Sequence, residues 1–271
     1  MAIANFIPQV WSARLQENLH KALVFGSLCN RNYEGEIAQW GDTVHISALN
    51  DITVKPYDPA TEIEDPEQLS GTDITLTIDH GAYYNFFIND ADAAQARVDL
   101  MDAAMRNAAY RLAADAEAYI ISTLRENAGV SLNRNLPTPN TNTAYDLLLE
   151  IKASMDFNNV PRHDRKVVMP PIMESLLLMD NRFITASSGT AESLKEGAVA
   201  RALGFDIYIS NDLTNEIIAL IPDAVTFAHQ ITKVDAYRPE KGFSDGLKGL
   251  CLSGAKVLIP EAVCLCTLET E

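Results

Sequence analysis

Hydrophobic and polar residues alternate with period two along "DTVHISAL". Val44, Ile46 and Ala48 face one way and Thr43, His45 and Ser47 the other. The stretch "DITLTID" alternates in the same manner, with Ile74, Leu76 and Ile78 on one face. Between them Pro56, Pro59 and Pro66 forbid a regular ladder, so the pattern predicts a long two-stranded ribbon with an irregular tip. "GAYYNFFIND" reads as a third strand, dense in aromatics and ending at Asn89 or Asp90, either of which can cap a helix. A helix from about Asp92 to Glu126 follows, where Met101, Met105, Ala108, Leu112, Ala116 and Tyr119 recur at steps of three and four. At ~1.5 Å per residue this rod is on the order of 50 Å long. Arg97, Arg111 and Arg125 fall within an arc of roughly 80° beside the apolar stripe, either as a solvated edge or as a basic rail for an acidic partner. Ahead of the ribbon, Val10, Leu15, Leu19 and Leu23 mark an amphipathic helix over 9–24, which looks like an arm.

After the long helix, "GVSLNRNLPTPNTN" (129–142) has the composition of a linker. An α/β segment follows. "TAYDLLLEIKASMDF" is a helix with Leu147, Leu148, Ile151 and Met155 inward, and "RKVVMPP" is a short buried strand. "PIMESLLLMD" is a helix with proline at its first position. "GFDIYISND" is a strand with Ile207 and Ile209 on one side, and most of the chain beyond Ala224 is strand.

The chain of 271 residues is 47% apolar, enough for a real core, and carries a net charge of −16. Such a charge repels phosphate backbones, so sequence-specific reading of nucleic acid is excluded. Cys29, Cys251, Cys264 and Cys266 form no CxxC pair, and Cys264 and Cys266 share one face of a strand, which fits buried reduced thiols. "MAIANFIPQVW" lacks the basic and apolar regions of a signal peptide. No stretch approaches the ~18 apolar residues of a membrane helix, so a soluble chain made in the cytosol and without a membrane partner is expected.

One catalytic pattern occurs: Gly242-Phe243-Ser244-Asp245-Gly246 fits G-x-S-x-G. A nucleophile elbow needs a buried strand before it, a helix after it and a histidine downstream. Here "YRPEK" precedes, and the last histidine, His229, lies upstream. A surface turn is the better reading, with a serine hydrolase using Ser244 as a minor alternative. His45 and His80 become neighbours if their strands pair, but no third metal ligand accompanies them. No phosphate loop, dinucleotide fingerprint, HExxH or calcium loop is present, so no catalytic residue, metal or cofactor is expected.

A two-stranded ribbon alone is marginal in water. The arm, the ribbon and the overlong helix all need surface from elsewhere, and a neighbouring copy of the chain is the economical source. These elements resemble those of the major capsid proteins of tailed bacteriophages with the Hong Kong 97-type fold. "MAIANFIPQVWSARLQENLHKALV" looks like the N-terminal arm, and "DITVKPYDPATEIEDPEQLSGTDITLTID" like the extended loop. "DLMDAAMRNAAYRLAADAEAYI" is similar to the spine helix, "DRKVVMPPIMESLLL" and "GAVARALGFDIYISNDL" to the axial domain, and "TFAHQITKVDAYRPEKGFSDGLKGLCLSGAKVLIPEA" to the closing strands.

The resemblance implies an α+β capsid fold. Its parts are an arm (1–30), an extended loop with flanking strands (31–90), a peripheral domain with the spine helix (91–135 and 229–256) and an axial α/β domain (136–228 and 257–271). It further implies a non-enzymatic, structural function in the virion. Pentamers and hexamers of this one chain form an icosahedral shell around double-stranded DNA, after assembly in the host cytoplasm. The chain begins directly with the arm, which leads to the expectation of a separate scaffolding protein, together with a portal. Members of the fold place the extended loop on an adjacent subunit near its spine helix. In this chain the loop from Asp51 to Asp79 holds eight carboxylates against Lys55 alone, a net charge of −7. Glu62, Glu64, Asp65 and Glu67 are therefore expected to dock near Arg97, Arg111 and Arg125 of a neighbour. Lys55 has no assignable asparagine partner, so covalent cross-linking is not expected. An encapsulin-like cellular compartment is the alternative shell.

Overall fold

The computed structural model describes residues 24–34, 39–49, 52–54, 68, 71–89, 100–136, 144–180, 201–239 and 244–269. The two alternating stretches form β1 (Thr43–Leu49) and β2 (Gly71–Thr77). They pair antiparallel from Thr43↔Thr77 to Leu49↔Gly71 as the predicted ribbon. Two backbone bonds extend the ladder to the ribbon's root, Gly41 N–H to the Ile78 carbonyl and Ile78 N–H to the Asp42 carbonyl, both 3.0 Å. The third strand is β3 (His80–Asn89). It joins two long C-terminal strands, β9 (Val225–Tyr237) and β10 (Ser244–Val257), in a three-stranded antiparallel sheet ordered β3-β10-β9.

The long helix α2 spans Leu100–Asn127, and the residues ahead of Leu100 where the pattern starts it lie outside the described part. Its buried face runs through Met105, Ala109, Leu112, Ala113, Ala116, Ile120, Ile121 and Leu124. Ala108 and Tyr119, expected inward, are only half-buried. Two further alanines, Ala109 and Ala113, are buried in the main core and widen the buried face to their side of the helix. The amphipathic segment 9–24 falls almost wholly outside the described residues. Its continuation is the short helix α1 (Phe25–Leu28), whose Phe25 and Leu28 are buried in the main core.

The second sheet has six strands, ordered β4-β11-β8-β5-β7-β6. They are β4 (Val130–Asn135), β5 (Arg165–Met169), β6 (Arg201–Ala202), β7 (Phe205–Ile209), β8 (Glu216–Leu220) and β11 (Cys264–Glu269). The helices α3 (Ala144–Phe157) and α4 (Pro171–Leu178) pack against it, with Leu147, Leu148, Ile151 and Met155 inward and Pro171 opening α4, as the pattern predicts. The composition of 129–142 suggested a linker, but its first half is strand β4, parallel to β11. This edge strand is mostly exposed and takes its order from the backbone ladder of its neighbour rather than from apolar residues of its own. Arg165, only 2% exposed, closes the end of α3 by donating to the carbonyls of Pro161 (2.7 Å) and Val160 (2.6 Å) and pairing with Asp156 at 2.8 Å.

One hydrophobic cluster joins α1, α2, α3, α4 and both larger sheets through residues such as Phe25, Leu124, Leu148, Phe205, Ile218 and Phe227. A small separate cluster of Val44, Leu76, Ile78, Ala228 and Leu252 seats the ribbon's root on β9 and β10. Gly254 makes that approach possible. A Cβ there would lie 2.5 Å from the Thr77 carbonyl oxygen and 2.7 Å from Ile78 Cδ1. Gly254→Ala is therefore expected to lower stability by about 1–3 kcal/mol in denaturant unfolding, and to raise deuterium uptake at Thr77 and Ile78 above that elsewhere in β2.

Candidate functional site

The middle of α2 is where the ribbon, the start of the described chain and both larger sheets meet. Residues four apart on a helix share a face, whereas a residue two positions on lies nearly opposite. Asp115 and Tyr119 accordingly point to the ribbon's root. His80 Nε2 lies 2.6 Å from Asp115 Oδ2. The Tyr119 hydroxyl donates to Asp79 Oδ1 at 2.6 Å and accepts from the Ala255 amide at 3.4 Å. The rings of His80 and Tyr119 stack, 4.4 Å apart and 11° from parallel. Burial, reinforced by the bond to Asp79, pushes the Tyr119 hydroxyl up to about 12, so it stays a donor at every physiological pH.

On the opposite side of the same turn stands Glu117, only 5% exposed. Its Oε1 accepts the backbone N–H groups of Val24 and, at 3.4 Å, Phe25. It thus supplies acceptors to the open N-terminal end of α1, which has no side-chain cap of its own. The exposed Asp212, in the turn between β7 and β8, is a second carboxyl whose charge acts on Glu117. Burial first, then this second carboxyl, raises Glu117 to about 7.

A second clamp holds the strand-like entry to the ribbon. Asn30 N–H donates to the Val225 carbonyl at 2.8 Å, and Phe227 N–H donates to the Asn30 carbonyl at 2.9 Å. Next to it, Glu34 Oε1 lies 2.7 Å from Arg31 Nε and 2.9 Å from Nδ1 of His229 on β9. Burial would raise the Glu34 carboxyl, but the bonds from His229 and Arg31 outweigh it and hold it below its ordinary value.

The sequence-predicted interface residues fare unequally. Glu62, Glu64, Asp65, Glu67 and Arg97 lie outside the described residues. Arg111 is exposed and lines a groove of about 550 Å³ between α2 and β3, with Tyr84, Phe86, Ala104, Ala108 and Leu112. Arg125 is not part of a continuous rail, since its Nε meets Glu216 Oε2 of the same chain at 2.6 Å. Arg111 and Arg125 lie some 20 Å apart along the helix, at ~1.5 Å per residue. Tyr83 and Phe87 of β3 also line the groove and are 78% and 62% exposed, large apolar groups of the kind that mark an interface. Of the residues that organise the site, His80 was weighed only as a neighbour of His45 and Tyr119 only as part of the apolar stripe, while Asp115 and Glu117 were not singled out. The one signal was an acid, Glu117, one residue after Ala116 of the apolar stripe.

Two chemical readings are corrected. His45 and His80 do not pair, because β1 joins β2 while β3 joins β10; His45 Nδ1 instead lies 2.7 Å from Asp73 Oδ2. Ser244 is the first residue of a 14-residue strand, not of a strand-to-helix turn. Ser244 pairs with Asn89 and His229 with Ser253, which puts serine and histidine on the order of 30 Å apart along the sheet. No triad forms there. Among the described residues no group of three His, Cys, Asp or Glu could hold a metal ion, and no described helix is long and apolar enough to cross a membrane.

Comparison with known proteins agrees with this architecture. A family model described as phage capsid protein matches residues 76–264. A solved structure from Mycobacterium phage Che8 is 28% identical, with a TM-score of 0.73 over 98% of both chains. The capsid of the cyanophage P-SCSP1u is 18% identical, with a TM-score of 0.68 over 92% of this chain and 89% of its own. A virus-like particle from Pyrococcus furiosus is 13% identical, with a TM-score of 0.61 over 97% and 99%. The last two likenesses speak for the fold alone. No curated protein sequence matches the chain.

The contact between ribbon root and α2 makes a direct prediction. Tyr119→Phe keeps the stacked ring but removes the donor to Asp79. It should cost about 1–2 kcal/mol in denaturant unfolding and raise deuterium uptake at Ile78 and Asp79. Tyr110→Phe, on an exposed face of the same helix, should change neither.

Proposed function

The chain belongs to the phage capsid protein family, as a structural major capsid protein of the Hong Kong 97-type fold, and from that premise we propose how its copies meet. The ribbon is the observation that carries the reading. Its root has a core of five buried residues, two of them on β9 and β10, while Ile52 and Val54 beyond β1 are 66% and 92% exposed. An element so poorly covered by its own chain is built to be covered by another. The ribbon of one subunit lies on the next near Arg111, and Glu62, Glu64, Asp65 and Glu67 face basic side chains there, Arg97 among them. Arg125 contributes less, because Glu216 already meets its charge.

This contact is head-to-tail: the donating and receiving surfaces differ, so it propagates around rings and closes a shell. Pentamers and hexamers around double-stranded DNA follow from it, with a separate scaffolding protein and a portal as partners and the host cytoplasm as the place of assembly. The arm, the ribbon with its flanking strands, the peripheral part around α2 and the axial part around the six-stranded sheet serve as its working units. The net charge of −16 suits a container that must not cling to its contents. A cellular compartment shell of the same fold is not favoured, since the matching family is that of phage capsid proteins.

Negative-stain microscopy of the pure chain, with and without a co-expressed scaffolding partner, tests the reading. Rings, sheets or closed particles are expected, and a stable dimer under every condition would overturn it. Exposed ion pairs contribute only ~0–1 kcal/mol each, so the tip must act through several at once. Reversing Glu62, Glu64 and Glu67 together to lysine should weaken or block particle formation, most strongly at low salt. Normal particles from that triple variant would leave the acidic tip without this role.

A further inference from the structure

β3 is an edge strand. From His80 to Asn89 it pairs with β10 on one side, and among the described residues no strand lies on its other side. In an antiparallel pair every second residue turns its N–H and C=O away from the partner, so β3 presents a row of donors and acceptors outward. Nothing blunts that edge: the strand holds no proline or lysine, and its register with β10 is unbroken. The groove of about 550 Å³ runs along it, because residues from both faces of β3 line the groove, Tyr84 and Phe86 from one and Tyr83 and Phe87 from the other. The far wall is one face of α2, with Ala104, Ala108, Arg111 and Leu112. A strand edge that faces a helix across an apolar groove is built to take an extended segment as a further strand.

We propose that β3 takes its fourth strand from a second copy of the chain: the limb of the ribbon around Ile52, Thr53 and Val54 adds along the β3 edge and seats Ile52 and Val54 between β3 and α2. This rests on the reading that the ribbon of one copy lies on the next, and it names the bond between them as backbone pairing beside the ion pairs of the tip. Ile52 and Val54 are exposed just beyond the ladder of β1 with β2, which ends at Leu49↔Gly71. Two positions apart, they share one face of an extended chain, and both are β-branched, the kind of side chain that suits a strand. Thr53 then turns to the open face beside Tyr83 and Phe87, and β-branched residues next to aromatic ones stabilise paired strands.

Charge selects the same occupant. Arg111 is the exposed cation of the groove, while Asp115, the other charged group of its lining, already faces His80. The loop from Asp51 to Asp79 carries −7 and brings carboxylates to that arginine. Residues 1–23 of another copy carry Arg14 and Lys21 against Glu17, a net charge of +1, which Arg111 repels.

Hydrogen exchange of assembled particles against the chain before assembly reads the added strand. Amides within 82–88 should slow by about tenfold or more on assembly. Ile52→Ser with Val54→Ser, at positions too exposed to put folding at risk, should leave exchange before assembly unchanged, lower the yield of particles several-fold and lose the slowing at 82–88 in those that form. A benzophenone attached to Val54→Cys gives the second measurement, since the chain's own four thiols are buried. Irradiated particles should carry cross-links from residue 54 of one copy to 82–88 or 104–112 of another. Particles in which 82–88 exchanges as before assembly overturn the proposal and leave shell formation standing. So does a double variant with the yield and slowing of the wild type, and so do cross-links that map outside the groove, which would give the β3 edge to another segment. A wild-type chain that forms no particles overturns both.

Discussion

An α-helix puts residues i and i+4 on one face and i+2 nearly opposite, and the architecture of this chain rests on a single use of that geometry. Within one turn of α2, Asp115 and Tyr119 take hold of the ribbon's root, while Glu117 takes hold of α1. Each element reaches the helix from a different part of the sequence and could not otherwise be kept in register with the others. The three-stranded sheet, itself seated on α2 through the main core, then carries the ribbon outward as a fixed projection.

Polar contacts do this positioning, and apolar ones supply the adhesion. The main cluster runs unbroken from α1 through α2 into both sheets, so the body is one folding unit. The ribbon shares little of that core. It is located by Gly254, which allows backbone to approach backbone, by the Asp79 and His80 contacts, and by the Asn30 bridge with its Arg31–Glu34–His229 cluster. A ribbon so attached is fixed at its root while most of its described surface stays uncovered.

Much of this was legible in the sequence, for identifiable reasons. Period-two alternation located β1 and β2, because each has one covered and one open face, and aromatic density located β3. Proline at the head of α4 and the Leu147–Met155 spacing of α3 marked helices whose burial is one-sided. The strand β4 was not legible, since its polar residues are ordered by the parallel partner β11 rather than by a pattern of their own. The buried stripe of α2 was misplaced by part of a turn, because alanine is equally at home on either side of a helix. The pairings that organise the site, 35 residues apart for His80 with Asp115 and 93 for Val24 with Glu117, leave no local trace. A glutamate in a helix ordinarily signals solvent, and only burial reveals Glu117 as an acceptor.

All four thiols of the chain are buried and free. Burial pushes Cys29 and Cys264 up to about 12 and Cys251 and Cys266 up to about 11, so almost no thiolate exists at neutral pH. Thiolate is the form that attacks disulfides and is oxidised. In the folded chain these four thiols are therefore poor partners for disulfides and oxidants. A cysteine introduced at its surface would stand out as the readily reactive thiol.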